Sequence, residues 1–212
     1  NVRCGSSTTD MKCIDAQEFP PMPTPDMRDG IQLNVADLKE MIQQVVFAAS
    51  NDEARPILTG VLLNVEGDKM TFASADGFRL SVRSAELSSP VGQPIKAVIP
   101  ARALSELARI SSDGSETVTM MLPPQSGRVI FRTKNVELAS QLIEGNFPDY
   151  EQIIPQEHKT RTTVLTADLA QACRQAGIFA REGSSVARLE IAPADKQGGS
   201  RITIRGVSEE TG

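Results

Sequence analysis

One histidine, three cysteines and no long apolar run: what this 212-residue sequence lacks narrows its function before any motif is read. No stretch approaches the roughly 18 to 20 apolar residues that a membrane-spanning helix needs, and no charged-then-apolar leader segment opens the chain. Cys4, Cys13 and Cys173 are an odd set without a CxxC pair, so neither a disulfide framework nor a zinc site is expected and a reducing cytoplasm fits best. The sequence has no GxxxxGK, HExxH, GxSxG or GxGxxG pattern, which removes the common phosphate-binding, metalloprotease, hydrolase and dinucleotide signatures. His158 stands in a polar connector without neighbouring ligand types, and the acidic residues do not cluster as a metal site would. The expectation is a protein without catalytic residues, cofactor or metal. The formal charge of −5 argues against wholesale coating of nucleic acid, although an acidic body can carry a local basic face. A start at Asn1 and an end on "SEETG" lead to the expectation of a piece of a longer protein.

What is present is enough apolar sequence for a core, at 40% hydrophobic residues, and an internal repeat. "LIEGNFPDY" (142–150) has a softer counterpart in "CIDAQEFPPM" (13–22), which pairs Phe19-Pro20 with Phe147-Pro148. The Ala-Asp-Leu of "LNVADLKEMIQQVVFAAS" (33–50) returns in "VLTADLAQACRQAGIFAR" (164–181), and Ala54-Arg55 is echoed by Ala187-Arg188. Each landmark recurs about 130 residues later and in the same order, the mark of repeated structural units. Phe-Pro closes one unit and Ala-Asp-Leu opens the helix of the next. The expected division is the tail of one unit at 1–29, a whole unit at 30–156 and the first half of another at 157–212. Pro-rich connectors join them at 19–30 and 153–163.

The whole unit has two similar halves. In the first, Asn34 is a suitable N-cap, Asp37 lies in the first turn, and Leu38, Met41, Ile42, Val45 and Ala49 share one helical face. Strand-like runs follow at 57–65, 69–75 and 79–87. The second half opens on a helix at 100–110, with Pro100 at its start and Leu104, Leu107 and Ala108 on one face. Strand-like runs follow at 117–122, 128–133 and 137–143. One helix and about three antiparallel strands per half give an α+β fold, with the helices on one face of the sheets.

Three stretches carry more than packing. Asp76-Gly77 in "FASADGFRLSV" (72–82) signals a hairpin. The plain reading is a tight turn with Leu80 and Val82 in the core; the other is that Phe78 and Arg79, at the turn exit, border a pocket for a partner's side chains. Arg55-Pro56 reads as a loop whose proline blocks strand pairing. Lys96, Arg102 and Arg109, against Glu106, read either as a solvated helix face or as a sparse stripe that meets phosphates without reading bases.

"SNDEARPILTGVLL", "SADGFRLSV", "AVIPARALSEL" and "LIEGNFPDYEQIIP", in this order and spacing, resemble the middle domain of the bacterial sliding clamp, the beta subunit of DNA polymerase III. The resemblance covers most of 31–155, with weaker similarity in "CIDAQEFPPMP" and "TADLAQACRQAGIFA" on either side. It implies a DNA-clamp fold and a processivity factor of DNA replication. In that family two chains close head to tail into a ring of six like domains, sheets outside and helices lining a hole for duplex DNA. The DNA would be held topologically, without sequence preference. Other implied partners are the polymerase III alpha subunit, the clamp loader and repair proteins, all bound through short peptides with a Gln followed by Leu and Phe. The implied location is the bacterial cytoplasm, at the nucleoid. The peptide pocket of the family lies between the middle and third domains. Carried over, Arg55 and Leu58 fall on its rim and wall, Ala75, Gly77, Phe78, Arg79 and Leu80 form a second wall, and Pro148 and Ile153 supply the other side. The family often has Thr where Ala75 stands and His or Tyr where Phe78 stands, so a more apolar pocket is expected. Its C-terminal tail also contributes, and the sequence ends before that tail. Lys39, Arg102 and Arg109 correspond to positions able to face the DNA. As given, the chain is not expected to close a ring. Two alternatives stay open here: a peptide-binding adaptor that never encircles DNA, and an enzyme using scattered carboxylates such as Asp76 and Glu144.

Overall fold

Asn34 starts the first long helix as its sequence context predicts: its side-chain Oδ1 accepts the backbone N–H groups of Ala36 and Asp37, satisfying donors that a helix start otherwise leaves unpaired. The computed structural model describes residues 1–18, 28, 30–111, 116–180, 186–193 and 199–206. The Phe19-Pro20 pair and most of the connector at 19–30 lie outside the described residues. The chain divides into two compact units, Asn1–Ile153 and Ile154–Gly212.

The first unit begins with a small exposed hairpin of β1 (Val2–Cys4) and β2 (Ser7–Thr9). Strand β3 (Ile31–Asn34) runs directly into α1 (Val35–Val45), which buries Val35, Leu38, Met41, Ile42 and Val45 on one face. The α-helix ends at Val45, short of the expected Ala49. There the hydroxyls of Ser74 and Ser81 donate to the Val45 and Gln44 carbonyls, and the chain tightens into a 3-10 turn at Val46–Ala48. A second 3-10 turn at Pro56–Thr59 replaces the expected start of a strand at 57. Strands β4 (Gly60–Glu66), β5 (Lys69–Ala75) and β6 (Leu80–Glu86) form a meander. Then come β7 (Ile95–Pro100) and α2 (Ala101–Ile110), with Pro100 as the residue preceding the helix. Strands β8 (Thr117–Met121), β9 (Arg128–Arg132) and β10 (Glu137–Gln141) complete the second half.

Each half therefore has a leading strand before its helix, β3 and β7, that the sequence reading did not foresee. These strands are exchanged. The sheets run β6-β5-β4-β7 and β10-β9-β8-β3, so each half lends its first strand to the other half's sheet. The register pairs Leu33 with Val118 and Leu62 with Val98. Both helices pack together and against the sheets, over a core that includes Phe72, Leu63, Ile99, Leu104, Leu107, Met120 and Phe131. Helices thus occupy one face, as an α+β layer fold requires. In the second unit α3 (Thr166–Ala180) packs on an antiparallel pair, β11 (Ala187–Ala192) and β12 (Arg201–Gly206). Among the described residues no helix is long and apolar enough to cross a membrane.

Candidate functional site

Strands β5 and β6 alternate their side chains between two environments. Met70, Phe72 and Ser74 turn inward; Ser81 bonds to α1, and Arg83 lies 4.0 Å from Glu40 on the same helix. Ala73, Ala75 and Leu80 therefore face away from the helices. This corrects the expectation that Leu80 and Val82 lie in the main core: Leu80 is half-buried on the outer sheet face and Val82 is 38% exposed. A separate apolar cluster sits on that outer face. Its floor is Leu62, Ala73, Val98, Phe147 and Tyr150, and Ile57, Ala75, Leu80 and Ile143 pack on it part-exposed. The segment after β10 crosses the sheet here, held by the Ile143 N–H donating to the Val98 carbonyl at 2.8 Å. Phe147 is 7% exposed, so the Phe-Pro landmark of the internal repeat helps to build this surface. Burial pushes the Tyr150 hydroxyl pKa up, with Glu151 adding to the effect.

The hairpin tip beside the cluster is a four-residue loop, 76–79, closed by the Ala75–Leu80 pair and wider than a tight turn on Asp-Gly alone. Asp76 organises it: one carboxylate oxygen accepts the N–H of Phe78 (2.9 Å) and of Arg79 (3.1 Å), and the other accepts Arg79 Nε at 2.8 Å. The Phe78 N–H first, and then Arg79, hold this carboxyl below its usual pKa. Gly77 has φ +96°, a conformation that L side chains rarely adopt. Phe78 projects from the loop at 98% exposure. Arg79 instead leans toward the helix layer, 5.8 Å above the Phe47 ring, within cation–π range.

Arg55 reaches the same loop; a Cβ on Gly77 would lie 3.4 Å from its Nη1. Asp52 accepts the Ala54 N–H at 3.0 Å and Arg55 Nε at 3.2 Å, and these bonds, the backbone one first, lower its pKa. Of the residues carried over from the resemblance, Ala75 and Leu80 meet on the cluster, and Arg55, Gly77, Phe78 and Arg79 surround the tip. Pro148 is exposed between the buried Phe147 and Tyr150, while Ile153 is 64% exposed on the 3-10 turn Glu151–Ile153. Leu58 is buried within its own 3-10 turn and belongs to neither cluster. Sequence reasoning missed Ile57, Asp52 and Phe47, whose places depend on tertiary neighbours.

The opposite face carries the three expected DNA contacts, and they differ. Lys39 Nζ donates to the Ser111 carbonyl at 3.3 Å, tying α1 to the end of α2. Arg109 grips Glu106 with two donors, Nε at 2.9 Å among them, which lowers the Glu106 pKa and raises that of Arg109. Arg102 is exposed and lines a cleft of about 400 Å³ with Ser50, Asn51, Glu53 and Ser105.

The sequence pattern of the DNA polymerase III beta subunit, central domain, matches residues 32–149, more than half of the chain. The beta sliding clamp of Bacillus subtilis (strain 168) is 37% identical over all 212 residues, which correspond to 54% of that protein. The beta sliding clamp of a Staphylococcus epidermidis strain is 33% identical over 184 residues, 87% of this chain and 48% of its own length. The crystal structure of the Bacillus subtilis DNA polymerase sliding clamp superposes with a TM-score of 0.79 at 34% identity, covering 91% of this chain and 52% of that one. The chain spans about half the length of the curated relatives it matches. On this fold and these matches, the chain belongs to the family of DNA polymerase III beta subunits, the bacterial beta sliding clamps.

Proposed function

We propose that this chain is the working middle of a sliding clamp that encircles duplex DNA and tethers replication and repair proteins to it. In this reading 1–29 closes the first clamp domain, 30–156 is the middle domain and 157–212 begins the third. The observation that carries it is the two-faced middle unit. Two helices occupy one face, and the other bears a part-exposed apolar cluster beside the hairpin loop where Arg55 and Arg79 sit. Ala75, Leu80 and Ile57 offer apolar seats to the Leu and Phe of a partner peptide, with Phe78 as a projecting flank, while Arg55 and Arg79 bind its polar atoms. The polymerase III alpha subunit and the clamp loader are the partners that this chemistry and family membership suggest. The protein acts as a homodimeric ring without catalytic residues or cofactor, in the cytoplasm at the nucleoid. A ring needs only weak phosphate contacts, so the net charge of −5 is no obstacle.

The test of encirclement uses the full-length protein loaded onto nicked circular DNA. Retention on the circle and rapid loss once the DNA is linearised is the expected result; equal loss from both defeats the reading. One observation favours a second reading, a peptide-binding adaptor that never encircles DNA: Lys39 and Arg109 are already engaged within the protein. That adaptor would bind the peptide but show no difference between circular and linear DNA.

A further inference from the structure

The two arginines at the hairpin tip are held by the same device. Asp52-Glu53-Ala54-Arg55 and Asp76-Gly77-Phe78-Arg79 are both Asp-x-x-Arg. In each, one carboxylate oxygen accepts the backbone N–H two residues on, from Ala54 or Phe78, and the other accepts the arginine Nε. The Asp52–Arg55 turn lies beside loop 76–79, and Gly77, lacking a side chain, leaves room for Arg55 against it. Among the described residues no protein acceptor takes the terminal Nη groups of either arginine, whose side-chain bonds run through Nε; the Arg79 guanidinium also lies 5.8 Å over the Phe47 ring. Both side chains are about half exposed, at 51% and 54%. Pairs so exposed contribute little to folding stability. Their geometric effect is larger: a guanidinium anchored through Nε keeps its Nη edge in a fixed direction, the edge suited to two parallel bonds with one acceptor.

Building on the peptide site proposed above, we propose that Asp52 and Asp76 are positioning residues. Each fixes one arginine through Nε, so that Arg55 and Arg79 present preset Nη donors to an acceptor of the bound peptide, a carboxylate or a side-chain amide oxygen. Holding the arginines in advance removes ordering that the peptide would otherwise have to impose on binding.

The test is a fluorescence anisotropy titration of the full-length protein with a labelled peptide carrying a Gln-Leu-x-Leu-Phe core. Asp52→Asn and Asp76→Asn are informative because asparagine keeps the oxygen that accepts the backbone N–H and replaces the one that holds Nε with a donor. Each should weaken binding about three- to tenfold while leaving the melting temperature unchanged. Arg55→Gln and Arg79→Gln should weaken it about tenfold or more. Each double variant, Asp52→Asn with Arg55→Gln and Asp76→Asn with Arg79→Gln, should bind no worse than its arginine variant alone. In parallel, the Nε–H signals of Arg55 and Arg79 should exchange slowly with water in the unsubstituted protein and quickly in the asparagine variants. Wild-type affinity in both asparagine variants, or losses that add in full in the double variants, overturns the positioning role while leaving the peptide site intact. No binding by the unsubstituted protein overturns the peptide site itself, and this proposal with it.

Discussion

Gly60 opens β4 where the crossing segment meets the sheet, and replacing it with alanine tests that junction. A Cβ at this position would lie 2.4 Å from Val98 Cγ1, 2.9 Å from Ile143 Cδ1 and 3.1 Å from the Ile99 carbonyl oxygen, against the roughly 3.5 to 4.0 Å of a good carbon contact. Two of the three cannot yield easily. Val98 is branched at Cβ and stiff in its first torsion, and Ile99 is backbone within the β4–β7 ladder; Ile143 Cδ1 is the end of a part-exposed side chain and can turn aside. Overpacking of this kind costs about 1 to 3 kcal/mol, and the 2.4 Å approach to Val98 together with the Ile99 carbonyl places Gly60→Ala near the top of that range. Stiffening of the unfolded chain returns about 0.4 to 1 kcal/mol. The net loss is about 2 kcal/mol, which for a chain of this size lowers the melting temperature by about 4 to 8 °C. Thermal unfolding followed by circular dichroism measures it, with Gly92→Ala, where an added Cβ meets nothing within 4 Å, as the control. A Gly60→Ala protein that melts with wild type would refute the close approach of β4, Val98 and Ile143. The same substitution should weaken peptide binding, since Val98 and Ile143 belong to the outer cluster.

Phe147→Ala, which empties the floor of that cluster, should cost about 3 to 5 kcal/mol in urea unfolding; a loss below 1 kcal/mol would mean that the segment is only loosely docked. Leu80→Ala, at a half-buried outward position, should cost far less stability yet abolish the peptide titration, and undiminished binding would remove Leu80 from the site. Asp76 has a lowered folded-state pKa, so its bonds persist above the ordinary carboxylate value of about 3.9 and fail as pH falls through the lower folded value. The Phe78 amide shift should accordingly stay constant from neutral pH to about 4 and move only below it; a transition at pH 5 or above would contradict the assigned bonds. On DNA, Arg102→Ala should reduce the salt dependence of binding by about one phosphate contact, whereas Arg109→Ala, whose cation already serves Glu106, should change it little. Equal effects would show that the Glu106 pair does not restrain Arg109.

Helices α1 and α2 were legible because their apolar residues keep a helical period and Asn34 and Pro100 mark the starts. Strands β3 and β7 were not. Ile31–Asn34 merges with the helix cap and Ile95–Pro100 ends on the proline; both become strands by pairing with partners far away in sequence, as Gln32 does with Thr119. Alternation in β6 revealed two faces but not which was inner. The apolar Leu80 and Val82 suggested the core side, whereas Ser81 and Arg83 face the helix, because the segment bearing Phe147 and Tyr150 shelters the outer face. The residues carried over for a peptide pocket came from family resemblance: Ala75 and Leu80 share the outer cluster and Arg55 reaches Gly77, whereas Leu58 joins neither cluster and Pro148 and Ile153 are simply exposed. Asp52 looked like any loop carboxylate: its Asp-x-x-Arg spacing allows the bond to Arg55, but the approach of Arg55 to Gly77 is tertiary and no spacing discloses it.

The exchange of leading strands sets a limit on the order of assembly. When β3 leaves the ribosome its neighbour β8 is still more than eighty residues from being made, with the β4–β6 meander and α2 in between. The first half can zip up its three-stranded meander alone, but β4 keeps a bare edge until β7 arrives, and Leu33 has no cross-strand partner until Val118 arrives. Neither half is a self-sufficient folding module, although each bears the marks of a duplicated one. A chain cut between β6 and β7 should therefore yield two pieces that are sticky apart and recover a cooperative transition only when mixed, each supplying the strand the other lacks.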